Sequence, residues 1–380
     1  MLHKVNLPAC HIHLNWILQL QGILLNGLCK DTTTAHMVDE DWVRQELVPL
    51  SLDQNWIKTL CSRKNYKGTK QSLLTLMAQI AGLPSTMKQE LQAAFEHDCR
   101  FSDDFEDKHR PVHQFRQLCF CPVSETIKKE ITDFFLIFYE PLLGEGYAIP
   151  NLSYPFNRKH FHDDFLLANP KMEICPMCDG QRDLKAELDH FYPKAHFPYL
   201  ACHPYNLTPI CPNCNSTANK GPKIPLQLDE TNPREDWFHP YLQPLMDWSD
   251  KSKFPSFLYF NIRFGGGLRL ESCDTRVQKR LDNLEELVHF SENWKRQLKI
   301  RIRAVGRDID RAYNRGRIKD RQELIEFLGD EADKMQDDLG ESAYAIMMYY
   351  YYKAAAREQP EVFDELLKRF KTAQLSRTGT

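Results

Sequence analysis

Two short pairs constrain this chain more than any other feature: Cys175-Pro-Met-Cys178 and Cys211-Pro-Asn-Cys214, with 32 residues between them. Each pair places two sulfurs on one tight turn, stiffened by Pro176 or Pro212, and two such knuckles complete a tetrahedral thiolate shell around a single ion. An isoleucine, Ile174 or Ile210, precedes each knuckle and is expected to pack beneath it. Four sulfurs leave no open coordination position, so the expected ion is a structural Zn²⁺ on Cys175, Cys178, Cys211 and Cys214. Coincidence and a pair of redox dithiols are the competing readings. Duplicate Cys-Pro-x-Cys turns bracketing a segment rich in His and Asn argue against both.

The other cysteines do not extend this site. Eight of the twelve (Cys10, Cys29, Cys61, Cys99, Cys119, Cys121, Cys202 and Cys273) are scattered, as reduced, buried small side chains are. Cys119-Phe-Cys121 is the remaining close pair and is read as structural, since no partner pair lies nearby. Residues 16–28 (WILQLQGILLNGL) are apolar but broken by Gln19, Gln21 and Asn26, with no cleavage site in view. They read as a buried helix rather than a targeting or spanning segment, and the chain is expected to be cytoplasmic. A net charge of −3 with 27% charged residues means that any surface for a polyanion must be local.

Between and after the knuckles run Glu187-Leu-Asp189-His190-Phe-Tyr-Pro193-Lys194, then Tyr205-Asn206-Leu207-Thr-Pro209, then Cys214-Asn215 and Lys220-Gly221. In residue type and order this segment, about 50 of 380 residues, resembles HNH nucleases of the ββα-metal fold in their zinc-clamped, endonuclease VII-like form. The resemblance implies Mg²⁺-dependent (or Mn²⁺-dependent) hydrolysis of DNA, leaving 5′-phosphate and 3′-hydroxyl ends. It implies Asp189 and Asn215 on the metal, His190 as general base, and Asn206 holding the loop that orients His190. The run from Asp189 to Ala201, with Tyr-Asn-Leu-x-Pro after it, also looks like the HNH subunits that accompany ATPases in Septu-type antiphage systems. No nucleotide-binding Gly-rich loop occurs here, so ATP-dependent control would come from an ATPase partner.

The chemistry suits these residue types. Phosphodiester hydrolysis needs a deprotonated water in line with the leaving oxygen and a cation to absorb charge. Imidazole titrates near neutrality and can take the proton. Carboxylate and amide oxygens suit a hard cation such as Mg²⁺. At the end of a strand, the neighbouring Asp189 and His190 side chains would point to opposite sides. The lesser alternative for Asn215 is a cap on the helix that follows the second knuckle, and His196 and His203 fit loop or substrate-contact positions. One departure from the family pattern matters. The lysine after the last Asn comes two residues late, in Asn215-Ser-Thr-Ala-Asn219-Lys220, so Asn219 rivals Asn215 for the metal one helical turn onward. Lys194 and Lys220 are expected to contact phosphate.

A second basic feature lies further on. From Lys295 to Arg321 there are eleven Lys or Arg against three Asp, and Arg303, Arg307, Arg311 and Arg315 recur every four residues. On a helix they form a row able to track a phosphate backbone. The alternative is a solvated face, or pairing with the acidic residues 322–339.

The chain length suggests two or three units. The expected fold is a mainly α-helical multidomain protein carrying a small ββα-metal nuclease unit: a helical region 1–165, a nuclease unit 166–240, and a β-hairpin followed by helices over 241–380. Residues 71–83, from Ser85, and 124–140 read as helices, and residues 257–270 as a hairpin turning at Gly265–Gly267. The C-terminal helices are expected at 275–304, 306–338, 340–358 and 360–373. The leading function is a DNA endonuclease. The alternatives are an RNA-cleaving HNH enzyme and a non-catalytic zinc module that binds nucleic acid or protein.

Overall fold

The apolar run near the N-terminus folds as helix α1 (His11–Cys29), and Leu14, Ile17, Leu20, Leu24, Leu25 and Leu28 on it have no exposed surface. The computed structural model describes residues 2–65, 67–106, 125–170, 172–182, 187–217, 219–221, 223, 237–245, 258–262 and 268–358. It divides into two compact units: a helical-core unit of Val5–Pro170 with Ala186–Leu242, and a C-terminal unit of Met1–Lys4, Lys171–Lys185 and Gln243–Thr380. The expected helix 360–373, the glycine turn 265–267 and the Cys119–Cys121 pair lie outside the described residues.

In the helical-core unit α1 is followed by α2 (Glu40–Glu46), α3 (Gln54–Ser62), α4 (Leu73–Ala81), α5 (Ser85–Cys99), α6 (Glu125–Ile137) and α7 (Arg158–Ala168). Their starts are set locally. Asp39, Asp53 and Ser72 each accept a hydrogen bond from the backbone N–H three residues on, and Asn157 closes a capping box with His160. Pro84 separates α4 from α5, as the sequence predicts. Phe134 and Phe135 on α6 are fully buried, and Phe135 stacks on Phe95 at 5.7 Å and meets Tyr199 edge-on at 4.8 Å. Those aromatic contacts fasten the 192–206 segment to the helices. Directly after α6 the chain opens into a π-helical turn, Phe138–Leu142, with Pro141 inside it.

Strands β1 (Glu187–His190) and β2 (Leu207–Ile210) pair antiparallel, with Asp189 opposite Thr208 and His190 opposite Leu207. A single helical turn, α8 (Pro212–Asn215), follows at once. Asp189 and His190 thus sit at the end of a strand, and the expected longer helix carrying Asn215 and Asn219 on one face does not form. Ser216 turns extended (φ −65°, ψ 154°), and Asn219 donates through Nδ2 to the Asn213 carbonyl at 2.7 Å. Gly221, at φ +41°, continues the reversal; a Cβ there would lie 2.9 Å from Thr217 Cα.

The C-terminal unit contains the predicted hairpin, β3 (Leu258–Ile262) against β4 (Leu268–Ser272), then α9 (Thr275–Val288), α10 (Phe290–Asn314), α11 (Arg321–Asp337) and α12 (Ala345–Glu358). The expected helix boundary near residue 305 is wrong. Helix α10 runs unbroken through Gly306, and the break falls at His289, which adopts a left-handed conformation (φ +49°) between α9 and α10. Leu287, Val288 and Phe290 are all buried, so burying apolar residues on both sides of the corner outweighs the cost of a non-glycine residue there. His289→Gly is therefore expected to raise the stability of the protein by up to about 1 kcal/mol, and His289→Val to lower it. Thermal melts of the two variants check this.

Candidate metal centre and histidine site

The first knuckle is a turn of the C-terminal unit. Cys175 N–H donates to the Gly180 carbonyl (2.8 Å) and Asp179 N–H to the Cys175 carbonyl (3.0 Å), while Ile174 bridges to Gln181 beneath. Asp179 holds φ +60° and is fully buried; its carboxylate accepts from His3 Nε2 (2.8 Å) and Ile346 N–H (2.9 Å). Burial pushes that carboxyl up from its usual range, against the opposing pull of His3. Trp294 closes the turn by donating its indole N–H to the Cys178 carbonyl at 2.8 Å. The second knuckle belongs to the helical-core unit, where Cys211 caps α8 by accepting from Cys214 N–H.

The ligand atoms of Cys175, Cys178, Cys211 and Cys214 all lie within 4.8 Å of one another, and all four residues are buried. A Zn–S bond of about 2.3 Å gives S···S edges of about 3.8 Å in a tetrahedron, so the four thiols can hold a zinc ion. Their donor set, four sulfurs and no water-facing position, is that of a scaffold metal.

Asp189 and His190 are held in the helical-core unit by different partners. Asp189 Oδ1 accepts from Lys220 Nζ at 2.8 Å, with both side chains buried, and the same ammonium donates to the His190 carbonyl. Lys220, expected to contact phosphate, is instead enclosed on the carboxylate, and Asp189 Oδ2 is buried without a hydrogen-bonded partner. Burial raises the Asp189 carboxyl, and Lys220 opposes that shift. His190 Nε2 lies 3.1 Å from the Ala201 carbonyl, an acceptor only, so Nε2 carries the proton and Nδ1 keeps its lone pair. The ring meets Tyr139 edge-on at 4.5 Å. Burial first, then the Lys194 charge, holds the imidazole well below its ordinary range, so it is neutral at neutral pH.

Asn206 lies at the centre of this arrangement. Its Oδ1 accepts from Tyr192 N–H (2.7 Å), and its Nδ2 donates to the carbonyls of Tyr192 (3.1 Å) and Leu200 (2.9 Å). One buried amide thus ties both ends of the 192–200 strap, and Ala201, the partner of His190, follows it directly. Asn215 ends α8 half-buried, and Asn219 is half-buried on the reversal after it. Lys194 is paired with Glu140 and lies 4.6 Å over the Tyr139 ring. His196 is half-buried on the strap. His203 makes no open substrate contact: it is buried, with Nε2 3.2 Å from the Cys99 carbonyl and its ring 5.3 Å from Phe101. In the C-terminal unit Arg303, Arg307, Arg311 and Arg315 are exposed on and just after α10, as a row requires.

Several site residues escape the sequence reading. Tyr139, Glu140 and Arg158 come from the π-helical turn and from α7, far from the motif in sequence. Pro141 inside an apolar helical pattern is the one local sign of a break there. His239, fully buried with Nε2 3.1 Å from the Tyr205 carbonyl, packs among Phe101, Phe105 and Phe191.

Cys175→Ser is expected to lower zinc content and melting temperature together; zinc retained in full in that variant rules out the four-sulfur site. A second expectation concerns pH. His190, His203 and His239 all have depressed values in the fold, burial being the leading cause, with His203 lowered to about 4. The unfolded chain takes up these protons near pH 6.5 and the folded one does not, so stability is full above 6.5 and falls as pH drops. His203 alone contributes a loss of up to about 3 kcal/mol by pH 4. Melting temperatures that stay level between pH 6.5 and 4 contradict this.

The chain is similar to protein ea31 of Escherichia phage lambda, 31% identical over 98 residues. That stretch is 26% of this chain and 30% of the phage protein. No protein-family model matches the chain, and no solved structure matches it. No helix among the described residues is long and apolar enough to cross a membrane.

Proposed function

We propose that this chain is a metal-dependent HNH-type endonuclease that hydrolyses DNA phosphodiester bonds, with His190 as general base. The observation that carries the reading is the fixed tautomer of His190: its Nε2–H is committed to the Ala201 carbonyl, leaving Nδ1 as a neutral proton acceptor. The order β1, β2, α8, with Asp189-His190 at the end of the first strand and Asn215 at the end of the short helix, supports this reading. Zinc held by the four close cysteines would serve as the scaffold.

Asp189 fits a second, oxygen-bound cation through Oδ2, the buried oxygen without a hydrogen-bonded partner. Asp189 and Asn215 would hold Mg²⁺ or Mn²⁺, with Asn219 the rival for the second position. When bound, such an ion supplies charge to the phosphate and the leaving oxygen. His190 Nδ1 takes a proton from the attacking water. Asn206 keeps the strap, and through it the Ala201 carbonyl, in register with the imidazole. Lys220 neutralises Asp189 on its other oxygen. The exposed arginine row on α10 is suited to the DNA backbone. An ATPase partner and a place in antiphage defence extend this proposal on the motif resemblance alone.

A specific observation favours the second reading, a non-catalytic zinc module: Asp189 and His190 are only 3% and 7% exposed. Cleavage assays on DNA and RNA with Mg²⁺ separate the readings. Wild type is expected to cut DNA, and His190→Ala to cut about 10²–10⁴-fold more slowly. Equal cutting by a folded, zinc-loaded His190→Ala variant removes the catalytic assignment, and preferential cutting of RNA changes the substrate.

A further inference from the structure

Beside the histidine site, three cations converge on one carboxylate that the proposed hydrolysis does not use. The Glu140 side chain, 13% exposed, is bonded to Lys194 through Oε1, and its Oε2 lies 3.3 Å from Arg158 Nη2 and 3.6 Å from Lys67 Nζ. Arg158 is also fixed by the carbonyls of Tyr139 (3.0 Å) and Glu140 (2.9 Å), with its guanidinium 4.4 Å over the Tyr139 ring. That ring is the one meeting His190 edge-on. One carboxylate against three cations leaves a surplus of positive charge next to the imidazole.

Lys67 comes from Arg63-Lys-Asn-Tyr-Lys-Gly-Thr-Lys70, a run with four cations and no acid in a chain of net charge −3. Hydrogen bonds tie the described residues of this run to α6 and to one another. Buried Asp133 on α6 accepts from Asn65 Nδ2 (3.0 Å) and from Thr69 N–H, and the N–H groups of Gly68 and Lys70 both bond the Asn65 carbonyl (3.1 and 3.2 Å). A side chain at position 68 would run into the Asp133 carboxylate and displace it from these bonds. Lys64 bridges to Ser72 at the base of the loop. Arg63 is paired with Glu145, whereas Lys64, Lys67 and Lys70 are exposed. Exposed lysines on a loop whose backbone is already hydrogen-bonded bind a polyanion at a reduced ordering cost, and each phosphate they neutralise releases counterions.

We propose that Lys64, Lys67 and Lys70, with Arg158 and Lys194, form a phosphate clamp that seats a nucleic-acid backbone beside His190, and that Glu140 is the internal anion with which substrate phosphate competes. The clamp deepens the nuclease reading and rests on it only for what happens after binding. The test is fluorescence anisotropy of a fluorescein-labelled DNA duplex with the full chain, without added divalent cation, over a range of salt. Lys64→Gln/Lys67→Gln/Lys70→Gln is expected to bind about tenfold or more weakly, with the salt slope shallower by about 2–3, near 0.9 per lost phosphate contact. Glu140→Gln is expected to bind more tightly than wild type, a change in the opposite direction that misfolding does not produce. Unchanged affinity and slope in the triple variant, or no binding by wild type, overturns the clamp. Weaker binding by Glu140→Gln overturns the part given to Glu140. Cleavage with Mg²⁺ by the same preparations keeps the two readings apart. Wild-type cutting with unchanged triple-variant binding removes the clamp alone, whereas clamp-dependent binding without cutting by wild type upholds the clamp and removes the nuclease.

Discussion

The side-chain amide of Asn206 makes three hydrogen bonds to the backbone, to Tyr192 N–H, the Tyr192 carbonyl and the Leu200 carbonyl, in a place with no exposed surface. Each is worth about 1 kcal/mol net when made, and each backbone group left alone at this depth costs about 1–3 kcal/mol. The strap between strands β1 and β2 has little regular structure of its own, so this amide replaces a sheet ladder. The Ala201 carbonyl follows the strap directly, and its position decides which nitrogen of His190 is protonated. Removing the amide would therefore free the histidine as well as the loop.

Electrostatics in the same few ångströms follow from burial. Asp189 and Lys220 are enclosed together, and an ion pair taken out of water is costly unless its remaining groups are bonded. Lys220 meets that condition by also donating to the His190 carbonyl, which ties the carboxylate, the ammonium and the strand end into one arrangement. Asp189 Oδ2 does not meet it, and an incompletely bonded carboxylate oxygen is a receptive position for a hard cation. Burial moves His190 in the other direction, downward, so the imidazole stays neutral and keeps its lone pair on Nδ1.

What was legible in the sequence was whatever is encoded within a few residues. The Cys-Pro-x-Cys spacing predicted both turns, and the side chains do come together. The apolar pattern of residues 16–28 predicted a buried helix, and Pro84 its break between α4 and α5. The failures share a physical origin in contacts made across long stretches of chain. The spacing of Asn215 and Asn219 predicts one helical turn between them, but Lys220 is drawn back to Asp189, 31 residues earlier, and the helix ends after a single turn. The corner at His289 is set by buried neighbours on both sides rather than by a glycine or proline signal, while Gly306, beside the expected boundary, sits exposed inside α10. Tyr139, Glu140 and Arg158 carry no motif, and only the fold brings them to His190.

In the proposed function one chain uses two kinds of metal site, a thiolate site that would hold the scaffold and an oxygen site beside His190 that would support hydrolysis. The most direct measurement is a Mg²⁺ titration of DNA cleavage by protein whose bound zinc is quantified at every point. Cleavage is expected to rise from nothing to saturation with Mg²⁺ while the zinc content stays constant. Cleavage at full rate with zinc alone, or none at any Mg²⁺ concentration by folded, zinc-loaded protein, contradicts it.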